Sequence, residues 1–323
     1  MGFKNVVIAG GGVLGSQIAF QAAYWGKDVT IWLRSESSIS RTRPKIEALK
    51  AEYEKAIHLM EKSRSVSIWC NGISKVDSFD PKVCLKRVAD AYKRIKLELD
   101  IHKACADADI VIESMAEIAK EKTAFYKKLA PVLPEKTVLV TNSSTLLPSK
   151  FAAVTKRPQK YLSLHFANHI WKQNIAEIMS HDKTDKQYVD QVVAFAKEIG
   201  MEPVLVNKEK AGYLLNSLLV PFLLCAMDLY ANGVSDPASI DKAWKISTSS
   251  PQGPFEILDI VGLETAANIC EKYVSVPGFI SPLLKKMMFP YNFKGMLKIV
   301  RDKIAQGKTG KAAGVGFYKY SSK

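Results

Sequence analysis

Short apolar runs alternate with longer amphipathic segments over the first two thirds of the chain. Residues 5–9 (NVVIA) have the pattern of a buried strand, and the glycine turn GGGVLG and the helical segment SQIAFQAAYWG follow it. Further strands are predicted, in chain order, at DVTIWL, ADIVIES, KTVLVTNSS, YLSLHF, NIAEIM and EPVLVN. Strands that alternate with helices form a mainly parallel sheet covered on both faces, so the pattern predicts a doubly wound α/β domain of the Rossmann type.

A helical and heavily charged stretch interrupts this alternation between about residues 37 and 103. It contains IEALKAEYEKAIHLMEKSR and LKRVADAYKRIKLELD, which both have helical patterns. The segment around residues 69–81 is rich in Asn, Gly, Ser, Asp and Pro and is typical of a loop. Because the stretch is too long for a single crossover, we interpret it as an inserted helical arm.

The strand patterns end near residue 206, and only helical patterns follow. They are GYLLNSLLVPFLLCAMDLYANG, SIDKAWKIST, GLETAANICEKYV and FKGMLKIVRDKIAQG. We therefore predict a nucleotide-binding domain at 1–206, which carries the arm, and an all-α domain at 207–323. The longest apolar stretch contains Asn216, Pro221 and Asp228, which favours a buried helix over a membrane span. A second apolar group, Met287, Met288 and Phe289, is interpreted as packing.

Composition narrows the class of protein further. Of the 323 residues, 47% are hydrophobic, which is enough for a large core. The five cysteines are scattered without CxxC spacing, so we expect free thiols in a reducing compartment and no metal site. The N-terminal residues run directly into a strand without a charged leader, and we expect a cytoplasmic protein.

The formal net charge is +14, which favours anionic ligands. The Lys and Arg residues are spread over helical segments and are not gathered into one patch interleaved with aromatic residues. We therefore expect a phosphate-rich small molecule and a dinucleotide as ligands, and neither nucleic acid nor membrane as a partner.

The glycine turn has the spacing G-x-G-x-x-G at Gly10, Gly12 and Gly15, between a strand and a helix. Gly10 permits the tight turn, Gly12 lets a pyrophosphate approach the backbone, and Gly15 lets the helix pack on the strand. The helix N-terminus, with Val13 and Leu14, points its amides at the phosphates. In this context the motif predicts dinucleotide binding.

The second strand ends without the acidic residue that normally binds the adenosine ribose. Leu33 occupies that position, and Arg34 and Ser35 follow. An arginine can pair with a 2′-phosphate in a bidentate manner, so the sequence favours NADP over NAD, with Arg41 and Arg43 as further candidates. In the alternative interpretation, Arg34 is a solvated surface residue and the coenzyme is NAD.

Polar residues follow two of the later strands. Ser144, after Asn142 and Ser143, ends one strand, where side chains of a parallel sheet face the ligand crevice; a turn or helix cap is the alternative. In YLSLHFANHIWKQNIAEI, His165 precedes Glu177 by twelve residues. The segment alone leaves open whether the two form a base held by a carboxylate or lie apart.

Seven stretches occur in the order found in one enzyme family: GGGVLGSQIA, TNSSTL, LHFAN, NIAEI, GYLLNSLLVPFL, GPFEILDIVGLET and GKAAGVGFYKY. Over nearly its whole length, apart from the longer arm, the chain resembles the L-3-hydroxyacyl-CoA dehydrogenases, among them the 3-hydroxybutyryl-CoA dehydrogenases. GPFEILDIVGL and VGFYKY are the most specific of these stretches, whereas the glycine turn alone is common to many folds.

The resemblance implies a site and a reaction. It places the acid–base pair at His165 and Glu177, the substrate contacts at Ser144 and Asn216, and further coenzyme contacts at Glu117, Lys122, Ser144 and Asn168. It also implies a homodimer formed through the helical domain, and an arm that holds coenzyme A, for which Lys45, Lys50 and Lys55 are candidates; a solvated helix face is the alternative. The expected reaction is the reversible oxidation of a (3S)-3-hydroxyacyl-CoA to the 3-oxoacyl-CoA.

The chain departs from the family pattern at three places. His169, Ile170 and Trp171 stand where proline, valine and proline are usual, Ala312 replaces a coenzyme-binding lysine, and Leu33 replaces the ribose acid. Two other functions therefore stay open. One is a dehydrogenase for a 3-hydroxy compound without coenzyme A, of the carnitine or sugar-acid type, and the other is a non-catalytic dinucleotide-binding protein.

Overall fold

The computed structural model describes residues 2–274 and 291–320, so Met287, Met288 and Phe289 lie outside the described residues. The chain divides into two compact units, Met1–Leu214 and Leu215–Lys323. The division comes after residue 206 because residues 207–214 turn back onto the sheet domain; the amide of Gly212, for example, donates to the carbonyl of Ser144 at 3.1 Å.

The first unit contains one sheet of eight strands in the order β3-β2-β1-β4-β5-β6-β7-β8. The strands are β1 (Asn5–Ala9), β2 (Asp28–Trp32), β3 (Ile95–Glu98), β4 (Ile110–Glu113), β5 (Val138–Thr141), β6 (Tyr161–Phe166), β7 (Ile175–Met179) and β8 (Glu202–Val206). Strands β1 to β6 are parallel, β7 is antiparallel to β6, and β8 is parallel to β7. The predicted doubly wound, mainly parallel sheet is confirmed. Strand order reverses between β1 and β4, where such sheets bind ligands.

Seven α-helices lie in the described residues of this unit: α1 (Val13–Tyr24), α2 (Glu36–Lys62), α3 (Pro81–Arg94), α4 (Ile101–Cys105), α5 (Ala119–Leu129), α6 (Ser149–Ala152) and α7 (Lys186–Glu198). The arm consists mainly of α2 and α3. Helix α2 buries Ile46, Leu49 and Tyr53, which recur every three to four residues on one face. Helix α3 begins after Asp80, whose carboxylate accepts hydrogen bonds from two amides of the first turn.

Strand β3 corrects the helical interpretation of the end of the arm. Helix α3 ends at Arg94, and residues 95–98 pair in parallel with β2. Ile95 and Leu97 alternate with Lys96 and Glu98, which is the two-residue period of a strand. The strand has only four residues and follows directly after the charged helix α3, so the sequence pattern suggested that the helix continued.

The core of the first unit lies on both faces of the sheet. Successive residues of β1 point to opposite faces, so Val6 and Ile8 belong to one apolar cluster and Val7 belongs to the other. The first cluster includes Tyr53 of α2, and the second includes Tyr126 of α5. Because helices cover both faces, ligand access is left to the strand ends.

The second unit is helical in its described residues, as predicted. Its helices are α8 (Leu215–Ala231), α9 (Pro237–Thr248), α10 (Pro254–Val261), α11 (Leu263–Val274) and α12 (Phe293–Ala305). Phe255, Leu258 and Met296 lie in its core. Asp259 accepts hydrogen bonds from the amides of Phe317 and Tyr318 and thereby fixes the C-terminal GVGFYKY stretch. In the described parts of the chain, no helix combines the length and apolarity needed to cross a bilayer.

Candidate active site

The glycine turn joins β1 to α1 and leaves its backbone accessible. Gly10 has a φ of +119°, and a Cβ atom there would lie 2.6 Å from the carbonyl oxygen of Ser114. A Cβ on Gly15 would clash with the Gly10 carbonyl, whereas one on Gly12 would project into open space. Gly12 is the N-cap of α1, and no side chain caps the helix. The exposed amides at this end of α1 therefore fit the pyrophosphate of a dinucleotide.

A cavity extends from the glycine turn towards the end of β2. Its lining consists of residues 10–12, Trp32, Leu33, Arg34, Ser38, Arg41, Thr42, Lys45 and residues 114–116. Three of these side chains are cationic, and none of the described residues that line the cavity is acidic. Arg34 precedes helix α2 in the chain, and Arg41 lies within that helix. Arg43 does not line the cavity.

Arg34 and Ser35 take local roles in this structure. Arg34 forms an exposed ion pair with Glu121, Nη1 to Oε2 at 3.3 Å. Ser35 is the N-cap of α2, with its hydroxyl 3.0 Å from the hydroxyl of Ser38. An exposed ion pair of this kind contributes little to stability, so Arg34 is free to change partner when an anion binds.

His165 and Glu177 lie directly opposite each other on the antiparallel strands β6 and β7. Residues in that relationship project on the same face, and His165 Nδ1 lies 2.9 Å from Glu177 Oε2. Both residues are buried. A carboxylate at this position favours the imidazole tautomer that carries its proton on Nδ1, which is the arrangement that a base acting through Nε2 requires.

Ser144 lies on the other side of the imidazole ring, with its Oγ 3.2 Å from His165 Nε2. It follows β5, so the ends of two neighbouring strands bring the two side chains together. Asn142, on the same segment, accepts a hydrogen bond from the amide of Phe166 at 3.0 Å. This bond ties the end of β5 to the end of β6.

Glu117 organises the segment that contains Ser144. One of its oxygens accepts hydrogen bonds from the hydroxyl of Ser143 at 2.6 Å and from the amides of Thr145 and Leu146 at 2.8 and 3.1 Å. Burial opposes ionisation of this carboxyl group, but these hydrogen bonds and the charge of Lys122 outweigh it and lower the pKa of Glu117 below its ordinary value. Glu117 is therefore ionised at neutral pH.

Lys122 is buried in the first unit. Its Nζ lies 2.6 Å from Oε1 of Glu113 and 3.6 Å from Oε2 of Glu117. The other oxygen of Glu113 accepts hydrogen bonds from the hydroxyls of Tyr126 and Thr141. Sequence reasoning missed Glu113, because a charged residue at the end of β4 gives no local sign that it is fully enclosed.

Tyr213 is a second residue that sequence reasoning missed. Its ring stacks on the imidazole of His165, with the ring centroids 4.5 Å apart and the planes 11° from parallel. The next amide, of Leu214, donates to Oε1 of Glu177 at 2.9 Å. In the sequence, Tyr213 looks like the first residue of an apolar helix, and only the path of residues 207–214 brings it to the histidine.

The loop between β6 and β7 carries the unusual residues 169–171. Trp171 is buried, and His169 is exposed with a φ of +58° and its ring edge-on to that of Trp171. The side chain of Gln17 in α1 accepts a hydrogen bond from the His169 amide at 2.8 Å, so the loop is fastened to the helix that follows the glycine turn. Asn168 is exposed at the start of this loop.

Asn216, the remaining predicted site residue, belongs to the second unit. It lies in the first turn of α8 and is half-buried. The first unit thus brings together His165, Glu177 and Ser144, whereas the part of Asn216 in the site stays a prediction.

Two family models match consecutive parts of the chain. The model described as 3-hydroxyacyl-CoA dehydrogenase, NAD binding domain, matches residues 5–210, and the model described as 3-hydroxyacyl-CoA dehydrogenase, C-terminal domain, matches residues 212–320. Together they span almost the whole chain. The first match also indicates a nicotinamide dinucleotide as coenzyme.

Individual relatives agree with these models. The mitochondrial hydroxyacyl-coenzyme A dehydrogenase of Sus scrofa is 30% identical over 317 residues, which are 98% of this chain and 91% of that protein. A probable 3-hydroxybutyryl-CoA dehydrogenase of Bacillus subtilis is 29% identical over 328 residues, which are 100% of this chain and 99% of that protein. A solved diketoreductase structure, described for the dual catalysis of dicarbonyl compounds, is 41% identical with a TM-score of 0.82, covering 99% of this chain and 100% of that one.

Proposed function

The chain belongs to the 3-hydroxyacyl-CoA dehydrogenase family, and we propose that it catalyses the reversible, nicotinamide-dependent oxidation of (3S)-3-hydroxyacyl-CoA to 3-oxoacyl-CoA, with His165 as acid–base. The observation that carries this proposal is the arrangement of the buried His165, in which one ring nitrogen meets the buried Glu177 and the other meets the half-buried Ser144. A secondary alcohol can be oxidised only if its hydroxyl proton is removed, and an imidazole suits that task near neutral pH.

In the oxidative direction, Nε2 of His165 takes the hydroxyl proton of the substrate. The bound coenzyme supplies the acceptor for the hydride that leaves the substrate carbon. Glu177 stabilises the imidazolium that forms, because its carboxylate faces the Nδ1 proton at 2.9 Å. In the reductive direction, the same Nε2 returns the proton to the carbonyl oxygen.

Ser144 donates a hydrogen bond to the reacting substrate oxygen, on which negative charge builds up. Its Oγ lies 3.2 Å from Nε2, so one substrate oxygen could meet both groups. By resemblance to the family, Asn216 is a further donor to the substrate oxygens. The amides of residues 13 and 14 hold the pyrophosphate, and Glu117, Lys122 and Asn168 remain candidates for contacts to the rest of the coenzyme.

The coenzyme proposed is NADP in preference to NAD. Support comes from the cavity at the end of β2, where Arg34, Arg41 and Lys45 line the wall and Leu33 takes the place of the ribose acid. Initial rates with NADPH and NADH, in the wild type and in Arg34→Asp, test this choice. We expect the substitution to weaken the use of NADPH far more than that of NADH, and equal loss with both coenzymes would contradict it.

The acyl carrier proposed is coenzyme A, held by the basic arm. Lys50 and Lys55 are candidates for its phosphates, while Lys45 lines the coenzyme cavity. Lys50 lies 3.7 Å from Glu54, an exposed i,i+4 pair that an incoming phosphate can replace. The family resemblance further implies a homodimer, which light scattering coupled to size-exclusion chromatography tests.

A second candidate substrate is a dicarbonyl or 3-hydroxy compound without coenzyme A. It is favoured by the 41% identity to a diketoreductase and by residues 169–171, which differ from the usual family loop beside the histidine. The values of kcat/KM would be measured for the purified wild-type protein with acetoacetyl-CoA, pentane-2,4-dione, carnitine and gulonate. A higher kcat/KM for acetoacetyl-CoA supports the first candidate, and a higher value for a compound without coenzyme A supports the second. Coenzyme binding without turnover of any of them would indicate a non-catalytic protein.

A further inference from the structure

Tyr213 stacks on the imidazole ring of His165. The two rings are nearly parallel, 11° apart, with centroids at 4.5 Å, and Tyr213 is buried. Its hydroxyl donates to the carbonyl oxygen of Ser143 at 2.8 Å, so the tyrosine ring is held at its far end. The stacked ring restricts rotation of the His165 side chain, which the single hydrogen bond to Glu177 does not prevent.

The residue after Tyr213 acts on the carboxylate. The amide of Leu214 donates to Oε1 of Glu177 at 2.9 Å, while Oε2 of the same group faces His165. Each carboxylate oxygen therefore has its own donor. Rotation of the carboxylate about its last bond would move both oxygens away from their donors and disrupt both hydrogen bonds.

The backbone of this segment adopts a conformation that an aromatic residue rarely takes. Gly212 has a φ of +83° and Tyr213 a φ of +52°. For a residue with a Cβ atom, that conformation is unfavourable and persists only where the surrounding contacts enforce it. The strain occurs at the point where the segment meets the acid–base pair.

We propose that Tyr213 is a positioning residue for the reaction: its ring keeps the imidazole of His165 in the plane that aims Nε2 at Ser144, while the adjoining Leu214 amide fixes Glu177. This inference rests on the proposed acid–base function of His165. A small misplacement of a reacting group is enough to slow a proton transfer strongly, so a ring that limits rotation matters for kcat.

The tyrosine itself does not exchange protons with the site. Burial raises the pKa of Tyr213 well above its ordinary value, so the phenol is neutral at the pH of any assay. It therefore serves as a hydrogen-bond donor to Ser143 and as a flat apolar surface for the imidazole.

Tyr213→Phe and Tyr213→Leu separate the ring from the hydroxyl. Phenylalanine keeps the stacked ring, and we expect its kcat to stay within about threefold of wild type. Leucine removes the ring, and we expect kcat to fall about 100-fold with the coenzyme KM nearly unchanged, as for a displaced reacting group. In the Glu177→Gln background, Tyr213→Leu should lower kcat by a much smaller factor, since both residues act through His165.

Coenzyme affinity and thermal melting would be measured for the same variants. A Tyr213→Leu enzyme with kcat within threefold of wild type would overturn the proposal, as would a Tyr213→Phe enzyme as slow as the leucine variant. If the leucine variant does not fold, Tyr213→Met takes its place; parallel loss of kcat, coenzyme affinity and melting temperature in that ringless variant also counts against the proposal.

A His165→Gln enzyme, assayed alongside, separates failure of this inference from failure of the proposed function. Loss of activity in His165→Gln with normal kcat in Tyr213→Leu would overturn only the role of Tyr213. Normal activity in His165→Gln would overturn the acid–base role of the histidine itself.

Discussion

His165 Nδ1 lies 2.9 Å from Glu177 Oε2, and the two residues are direct partners across the antiparallel pair β6–β7. This pair occurs where the direction of the sheet changes, since β1 to β6 are all parallel. The antiparallel register places the carboxylate behind the imidazole, and burial keeps water from competing for either group. The chemistry proposed for the protein depends on this relationship.

Glu177→Gln should lower kcat by about 10²- to 10⁴-fold with little change in the substrate KM. Glu177 offers two acceptor oxygens, one to His165 and one to the amide of Leu214, whereas glutamine has a single acceptor. In the glutamine variant, either His165 or the amide of Leu214 would face the side-chain NH₂ group and not an oxygen. The negative charge that stabilises the imidazolium would also be lost. Steady-state kinetics measures the effect, with Glu202→Gln, an exposed carboxylate on β8, as the matched control. An equal loss in the two variants would refute the specific role.

Arg41→Gln should raise the KM for NADPH by about 10- to 100-fold, because a charge-assisted contact to phosphate contributes roughly 1.5–3 kcal/mol. The KM for NADH should change much less. Arg43→Gln is the control, since Arg43 lies on the same helix but does not line the cavity. Initial rates at varied coenzyme concentration check this prediction, and it fails if Arg43→Gln has the larger effect on NADPH.

Lys122→Met should destabilise the protein by about 3–5 kcal/mol, because it leaves the buried carboxylate of Glu113 without its cation. The double variant Glu113→Gln/Lys122→Met should recover part of that loss, since it removes the uncompensated charge. Urea unfolding followed by circular dichroism gives the free energies. The exposed Lys127 of the same helix provides the control Lys127→Met, for which we expect a change within about 0.5 kcal/mol.

The fold could be predicted from the sequence where patterns are local. The run NVVIA with its glycine turn and the later apolar runs gave strands that the structure contains, and only the short β3 was hidden by neighbouring helical charges. Leu33 and Arg34 follow directly after β2 and line the cavity beside the glycine turn, while their part in coenzyme binding stays a prediction. The strands could be predicted because each depends on neighbours in the chain.

Contacts between distant segments could not be predicted in this way. The tyrosine at 213 stacks on a histidine 48 positions earlier because residues 207–214 return to the sheet, and no spacing rule encodes that path. The enclosed Glu113 and Lys122 likewise have the composition of surface residues. The pairing of His165 with Glu177 came from a family resemblance, since the segment between them does not fix whether β7 lies beside β6.

His181 should make the free energy of unfolding depend on pH at values below the ordinary pKa of histidine. Burial lowers the pKa of His181 below its ordinary value of 6.5, so its neutral form is preferred in the folded state. The unfolded chain binds the proton more readily, and stability is therefore lost as pH falls through and below 6.5. Melting temperatures from pH 8 to 5 should fall more for wild type than for His181→Phe. The exposed His102 gives the control His102→Phe, and identical slopes for all three proteins would contradict the prediction.

The acid–base role of His165 is tested by the reduction rate of His165→Gln, measured with the 3-oxo substrate that the wild type reduces fastest and at saturating coenzyme. Coenzyme binding, followed by fluorescence, would confirm that the glycine turn is intact. We expect unchanged coenzyme affinity and a kcat lower by about 10²- to 10⁴-fold, since the proton donor to the carbonyl oxygen is gone. A kcat within threefold of wild type would contradict that role.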